Sequence, residues 1–180
     1  MKYKTILADP PWQYGNKRLG CGGRGGASHH YPTMTTDLIC DLEIISEITG
    51  NDSVLFLWAT VPMWPDALLA MDSWGYKYKT QLIWVKTRGL GMGFWFRVQY
   101  ELCLVGTRGK PKPFRQSFPN IFFAPITKHS RKPEKFFQLI DPIIPRPAIE
   151  LFAREKREGW DAWGDEAVSD ISIKADTKCI

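Results

Sequence analysis

Residues 53–58, Ser-Val-Leu-Phe-Leu-Trp, form an uninterrupted apolar run. A strand with one wet face would alternate apolar and polar residues, so this run reads as a strand covered on both faces. Further short apolar runs recur at 4–8 (KTILA), 80–85 (TQLIWV), 101–105 (ELCLV), 120–124 (NIFFA) and 147–152 (PAIELF), with a short last one at 159–163 (GWDAW). Amphipathic stretches lie between them. Thr35 to Ile48 spaces Leu38, Ile39, Leu42, Ile45 and Ile48 as one helix face, with Thr35 or Thr36 as its cap. Pro65 to Trp74 reads as a helix stopped by Gly75, and Pro133 to Ile140 as a helix opened by its proline. This alternation predicts an α/β domain. A length of 180 residues suits one such domain, and no repeat or linker divides it.

Hydrophobic residues at 44% and charged residues at 24% exclude general disorder. No apolar run approaches the roughly 20 residues of a membrane helix. The start, MKYKTILADPPW, lacks the apolar core and cleavage site of a signal peptide. The expectation is a soluble cytoplasmic protein with no membrane partner. Cys21, Cys40, Cys103 and Cys179 show no C-x-x-C spacing, which argues against a zinc site and for reduced thiols. Charge is uneven along the chain. Residues 77–158 carry 17 basic and 6 acidic side chains, against a net charge of +5 overall. Such a basic middle is either a solvated lysine-rich surface or the footprint of a polyanion, bound with salt sensitivity.

In open α/β sheets, ligands bind beyond the carboxyl ends of the strands. There the first strand runs into Asp9-Pro10-Pro11-Trp12, Glu150 and Arg154 end PAIELF, and Asp165 and Glu166 follow the last strand. The tetrapeptide should occur by chance in roughly one chain of this length in several thousand. Its prolines remove backbone donors. The expectation is that its carbonyls are free to accept from a ligand, beside the Asp9 carboxylate and the flat face of Trp12. That set suits a planar base with an exocyclic amino group: Asp9 and one of the carbonyls take the amino hydrogens while Trp12 stacks. Lys132, at a helix start, reads as an anion site. Arg88, Arg97, Arg108, Lys110, Lys112 and Arg115, with Phe94, Trp95 and Phe96, are candidates to line a nucleic-acid groove. The glycine-rich segment 20–26 reads as either a gate over the base pocket or a disordered loop.

These blocks resemble the adenine N6-methyltransferase family marked by a DPPW motif, whose eukaryotic members methylate adenosine in messenger RNA. The matching stretches run in order from ADPPW (8–12) through HYPTM (30–34), LFLWAT (55–60), WGYK (74–77), LIWVKT (82–87), ELCLVGTRG (101–109), HSRKPE (129–134) and IELFAR (149–154) to GWDAWGDE (159–166). The resemblance implies a Rossmann-like fold that uses S-adenosyl-L-methionine, with a mostly parallel sheet, helices on both faces and a permuted motif order. It assigns residues 1–166 to one catalytic domain and 167–180 to a tail of unknown role. It implies Asp9, Pro10, Pro11 and Trp12 as catalytic residues. Tyr31 and Lys132 fall to the substrate, joined by Arg88 and Arg97 of the basic middle, and Asp9, Lys132, Glu150, Arg154, Asp165 and Glu166 fall to the cofactor. Lys156 and Arg157 stand where some relatives contact the cofactor's carboxylate.

The implied partner is nucleic acid, DNA ahead of RNA, with room for a homodimer or a partner subunit. The alternative is a catalytically silent methyltransferase-like subunit that binds nucleic acid. Members of that kind carry a degraded DPPW, and here it is intact. A phosphate-handling nucleotide enzyme is disfavoured because the glycine-rich segment lacks a lysine–serine ending.

Overall fold

The computed structural model describes residues 2–14, 33–89, 91, 95–126 and 131–171. Its elements are β1 (Tyr3–Ala8), α1 (Thr36–Cys40), α2 (Ile44–Ile48), β2 (Thr49–Ala59), α3 (Trp64–Ser73), β3 (Lys77–Lys86), β4 (Tyr100–Arg108), β5 (Ile121–Ala124), α4 (Glu134–Ile140), β6 (Ala148–Leu151) and β7 (Asp161–Trp163). The seven strands form one sheet in the order β5-β3-β4-β2-β1-β6-β7. Neighbours are parallel except around β4, which runs against both β2 and β3. This is the mixed, mostly parallel sheet of a Rossmann-like α/β fold.

The apolar runs have the predicted consequence. In β2 every residue from Ser53 to Ala59 is buried, with alternate side chains entering two cores. Leu55, Leu57 and Ala59 join Ile6, Ala8, Leu102 and Leu104 under the side of the sheet that carries α1, α2 and α3. Val54, Phe56 and Trp58 join Leu7, Cys103 and Phe122 under α4. Phe136 of α4 anchors the second core, with ring centroids 4.8 Å from Trp58 and 5.3 Å from Phe137. Each such aromatic pair adds about 0.5–1.5 kcal/mol beyond the area it buries.

The single helix expected over 35–48 is two short ones. Thr35 does cap the first, its hydroxyl accepting from the Leu38 amide at 3.3 Å. The chain then turns at 41–43 and restarts at Ile44. The break lets Ile39, Ile45 and Ile48 all reach the core while Leu38, counted above on the apolar face, stays 37% exposed. The carbonyl of Ile39 is recovered by the Trp74 indole N–H at 2.9 Å. Pro133 caps α4 from outside, with extended backbone, rather than serving as its first residue. Gly75 ends α3 with φ +76 as expected.

The register aligns the strand ends. Ala8 pairs with Leu57 and Leu151, Leu151 with Trp163, Ala59 with Leu102, and Lys86 with Ala124. The ends of β1, β2, β3, β5, β6 and β7 and the start of β4 thus share one edge. Past β7 the chain stays attached, because Asp170 and Ala162 exchange backbone-amide bonds at 2.9 Å, one of them to the Asp170 carboxylate. Among the described residues no helix is long and apolar enough to cross a membrane.

Candidate active site

A recess opens at this edge, lined by Asp9, Pro10, Pro11, Trp12, Tyr14, Ala59, Thr60, Glu101, Lys132 and Arg154. Asp9 is the first residue past β1. The alternation that sends Leu7 into the α4 side sends Asp9 the same way. There its carboxylate meets the Lys132 ammonium at 2.6 Å. Lys132 stands just before α4, is largely buried, and lies 5.1 Å above the Trp58 ring. It also reaches Glu101 at 3.4 Å, and Glu101 binds Lys86 at 2.7 Å. Four charges of alternating sign, Asp9, Lys132, Glu101 and Lys86, therefore run along the edge from β1 to β3.

Burial and pairing compete at each of these groups. Burial pushes the Asp9 carboxyl above its ordinary range, against the pull of Lys132. Burial opposes charge on Lys132 as well, but the carboxylates of Asp9 and Glu101 outweigh it and hold the ammonium above its usual value. At Glu101 burial is overcome by Lys132 and Lys86, so its carboxyl is held low. At Glu150, opposite Leu7 in β6, burial and then the charge of Asp9 push the carboxyl up to about 7, and Arg157 and Lys132, pulling the other way, are outweighed.

The DPPW turn is built differently from its sequence reading. Trp12 is only 5% exposed and belongs to the core, its indole N–H donating to the Trp58 carbonyl at 3.0 Å. Its ring is therefore almost wholly buried and fixes the turn against β2, with only an edge left to line the recess. The motif carbonyls are not free either. Pro10 accepts the Trp12 amide at 2.9 Å and Pro11 accepts the Met34 amide at 2.8 Å. Each keeps one lone pair. The Gln13 amide binds the Met34 carbonyl in return at 2.9 Å, so the DPPW turn and the end of the HYPTM block are laced together.

Lys132 is likewise not an open anion site, because its ammonium is already committed to two carboxylates. Arg154 does line the recess, and its guanidinium lies 3.9 Å from Glu166. Asp165 is exposed just beyond β7. Arg157 is held by both oxygens of Glu134, at 2.8 and 2.9 Å, and Lys156 pairs with Asp170. The groove of six basic residues is divided. Arg88 and Arg97 follow β3 at the recess edge, whereas Arg108 and Lys110 end β4 at the opposite edge, where the Lys110 amide binds Asp52. Among the described residues of the middle segment, seven basic ones are ion-paired, Lys86, Arg131, Lys132, Arg146, Arg154, Lys156 and Arg157. Tyr31, Phe94, the segment 20–26, Cys21 and Cys179 lie outside the described residues.

Sequence reasoning missed Glu101, Lys86, Tyr14 and Thr60. A signal existed for the first: an acidic residue heading the buried strand ELCLV needs a partner. Tyr14 and Thr60 join hydroxyls at 2.8 Å across the mouth of the recess.

Residues 3–166 match the family model described as MT-A70. Among curated proteins, the type II methyltransferase M.MunI of Mycoplasma sp is 34% identical over 195 residues, covering 98% of this chain and 82% of its own. The N(6)-adenosine-methyltransferase MT-A70-like protein of Arabidopsis thaliana is 31% identical over 91% of this chain and 24% of its own length. The human N(6)-adenosine-methyltransferase catalytic subunit METTL3 is 31% identical over 85% and 26% respectively. The chain thus spans about a quarter of these longer relatives.

Proposed function

The chain belongs to the MT-A70 family, and from that premise we propose that it transfers a methyl group to the N6 amino group of adenine in DNA. The observation that carries this reading is the intact Asp9-Pro10-Pro11-Trp12 turn, with its carboxylate buried at the rim of a recess and held by Lys132. The adenine amino nitrogen is a poor nucleophile because its lone pair is delocalised into the ring. Asp9 accepts one amino hydrogen, and the remaining lone pair of the Pro10 carbonyl accepts the other. Two acceptors on one nitrogen favour a tetrahedral geometry with a localised lone pair. Lys132 and Glu101 hold the Asp9 oxygen in place beforehand, so positioning and electrostatics supply most of the catalysis.

The methyl donor we propose is S-adenosyl-L-methionine, which when bound supplies an activated sulfonium methyl. The donor set of the edge fits it. Glu150, Asp165 and Glu166 can accept ribose hydroxyls, carboxylates suit a positive sulfonium, and Arg154 can meet a carboxylate. Residues 1–166 would form the catalytic unit. DNA is favoured over RNA because the match to this chain covers 82% of the Mycoplasma type II methyltransferase but only about a quarter of the N(6)-adenosine-methyltransferases. A bacterial or phage-infected cytoplasm is the setting we infer, with nucleic acid as the partner and a second subunit as a source of sequence choice.

The test is labelled methyl transfer from S-adenosyl-L-methionine to DNA and to RNA, with Asp9→Ala beside the wild type. The expected result is transfer to DNA and a loss of about a hundredfold or more in the variant. Equal rates in the two proteins would refute the role of Asp9. Calorimetric titration that found no cofactor binding, even with DNA present, would refute the enzyme.

A further inference from the structure

We propose that Trp95 and Phe96, between β3 and β4, form a wedge that enters duplex DNA beside the target adenine and fills the gap when that base turns out. The inference rests on the adenine-methylation reading above. Trp95 is 93% exposed and Phe96 87% exposed, adjacent to each other on a connection that starts and ends at the recess edge.

The two rings are carried on a built stem. The Lys86 amide donates to the Gln99 carbonyl at 2.8 Å, and the Gln99 side-chain amide returns a bond to the Lys86 carbonyl at 3.1 Å. Further out, the Gly91 amide donates to the Val98 carbonyl at 2.8 Å, and the Arg97 Nε to the Gly91 carbonyl at 3.3 Å. A Cβ on Gly91 would lie 2.7 Å from the Val98 oxygen, so this neck requires glycine. The stem is braced on β5, the Thr87 amide donating to the Ala124 carbonyl at 3.2 Å. Its root is the charge chain itself. Lys86 binds Glu101, Glu101 binds Lys132, and Lys132 binds Asp9. The wedge and the base pocket are thus fixed in one frame.

An amino group inside a duplex cannot reach a carboxylate recessed like Asp9, so the base must leave the stack. Apolar side chains inserted at a base step offset that cost by stacking on what remains. Arg97 follows the rings directly and Arg88 leaves β3 on the same connection; both are exposed and basic and suit backbone phosphates, which favours DNA as the occupant over a second copy of this chain.

Methyl transfer by Trp95→Ala/Phe96→Ala is compared with wild type on three substrates carrying the site mapped by sequencing DNA that the wild type has methylated. They are the matched duplex, the same duplex with an abasic site opposite the target adenine, and the single strand. Both residues are exposed, so the variant keeps its core. We expect a loss of about tenfold to a hundredfold on the matched duplex and rates near wild type on the other two. Unchanged rates on the matched duplex would overturn the wedge. So would equal loss on all three, which would point to a contact between copies. Absence of any wild-type transfer would instead overturn the adenine-methylation reading itself.

Discussion

Lys132→Met leaves the carboxylates of Asp9 and Glu101 in a buried site without the cation between them. At an effective dielectric near 20, the lost attractions are roughly 6 kcal/mol for the Asp9 contact at 2.6 Å and about 5 kcal/mol for the Glu101 contact at 3.4 Å. Desolvation of the ammonium, which the variant no longer suffers, cancels much of this. Removing one partner of a buried pair costs about 3–5 kcal/mol net. The pH dependence is the sharper signature. Two buried carboxylates left facing one another raise a carboxyl pKa, so the folded variant binds a proton that the unfolded chain does not. Stability of the variant then rises as pH falls, by about 1.4 kcal/mol per pH unit for one proton. Between pH 8 and pH 5.5 up to about 3 kcal/mol of the deficit should disappear. Urea denaturation followed by tryptophan fluorescence at both pH values measures it. Adding Glu101→Gln to Lys132→Met should recover part of the loss at pH 8, because one carboxylate then remains. A deficit that is the same at both pH values, or no deficit, would show that Lys132 is a solvated side chain and not the keystone of the edge.

Two further perturbations probe the side of the edge proposed to hold the methyl donor. Glu150 has its carboxyl raised from 4.5 to about 7, so the native state holds its proton where the unfolded chain has lost it, and stability falls as pH rises through that window. Glu150→Gln should raise stability at pH 8 by up to about 3 kcal/mol and leave it nearly unchanged at pH 4.5; thermal melts at the two pH values check this, and an equal effect at both refutes it. Gly164 is packed so closely on Ala153 that a Cβ would overlap its backbone nitrogen and oxygen. Gly164→Ala should cost about 2 kcal/mol or more and weaken donor binding by shifting Asp165 and Glu166; an unaltered melting temperature would refute the close contact.

The strands were legible because continuous apolar runs have few other uses in a chain this size, and the edge bearing Asp9 followed from where those strands end. Other features depend on distant neighbours. The orientation of Trp12 is decided by a carbonyl on β2, 46 residues away, and nothing within the tetrapeptide says which face of the turn the indole takes. Lys132 looked like an anion site because a helix follows it. Its carboxylate on β1 lies 123 residues away, and only the folded sheet brings them together. The break at 41–43 was hidden for a similar reason: the apolar spacing fits one helix, but the shape of the sheet beneath decides whether a straight rod can bury it.

The same edge explains how a buried carboxylate can serve as an acceptor. A lone Asp9 would meet its desolvation by taking up a proton, and a protonated carboxyl has lost much of its power to accept from an amino group. Lys132 opposes that, but by itself would leave Asp9 satisfied and inert. Glu101 draws the ammonium toward a second carboxylate, and Lys86 neutralises Glu101 in turn. The chain of four has no net charge, so a neutral base meets little field on approach, yet it ends on Asp9, the carboxylate facing the recess. Lys86 also begins the stem that carries Trp95 and Phe96. The residue that closes the electrostatic chain is therefore the one that sets where the exposed rings stand, which ties how the base is held to how it would be drawn from the duplex.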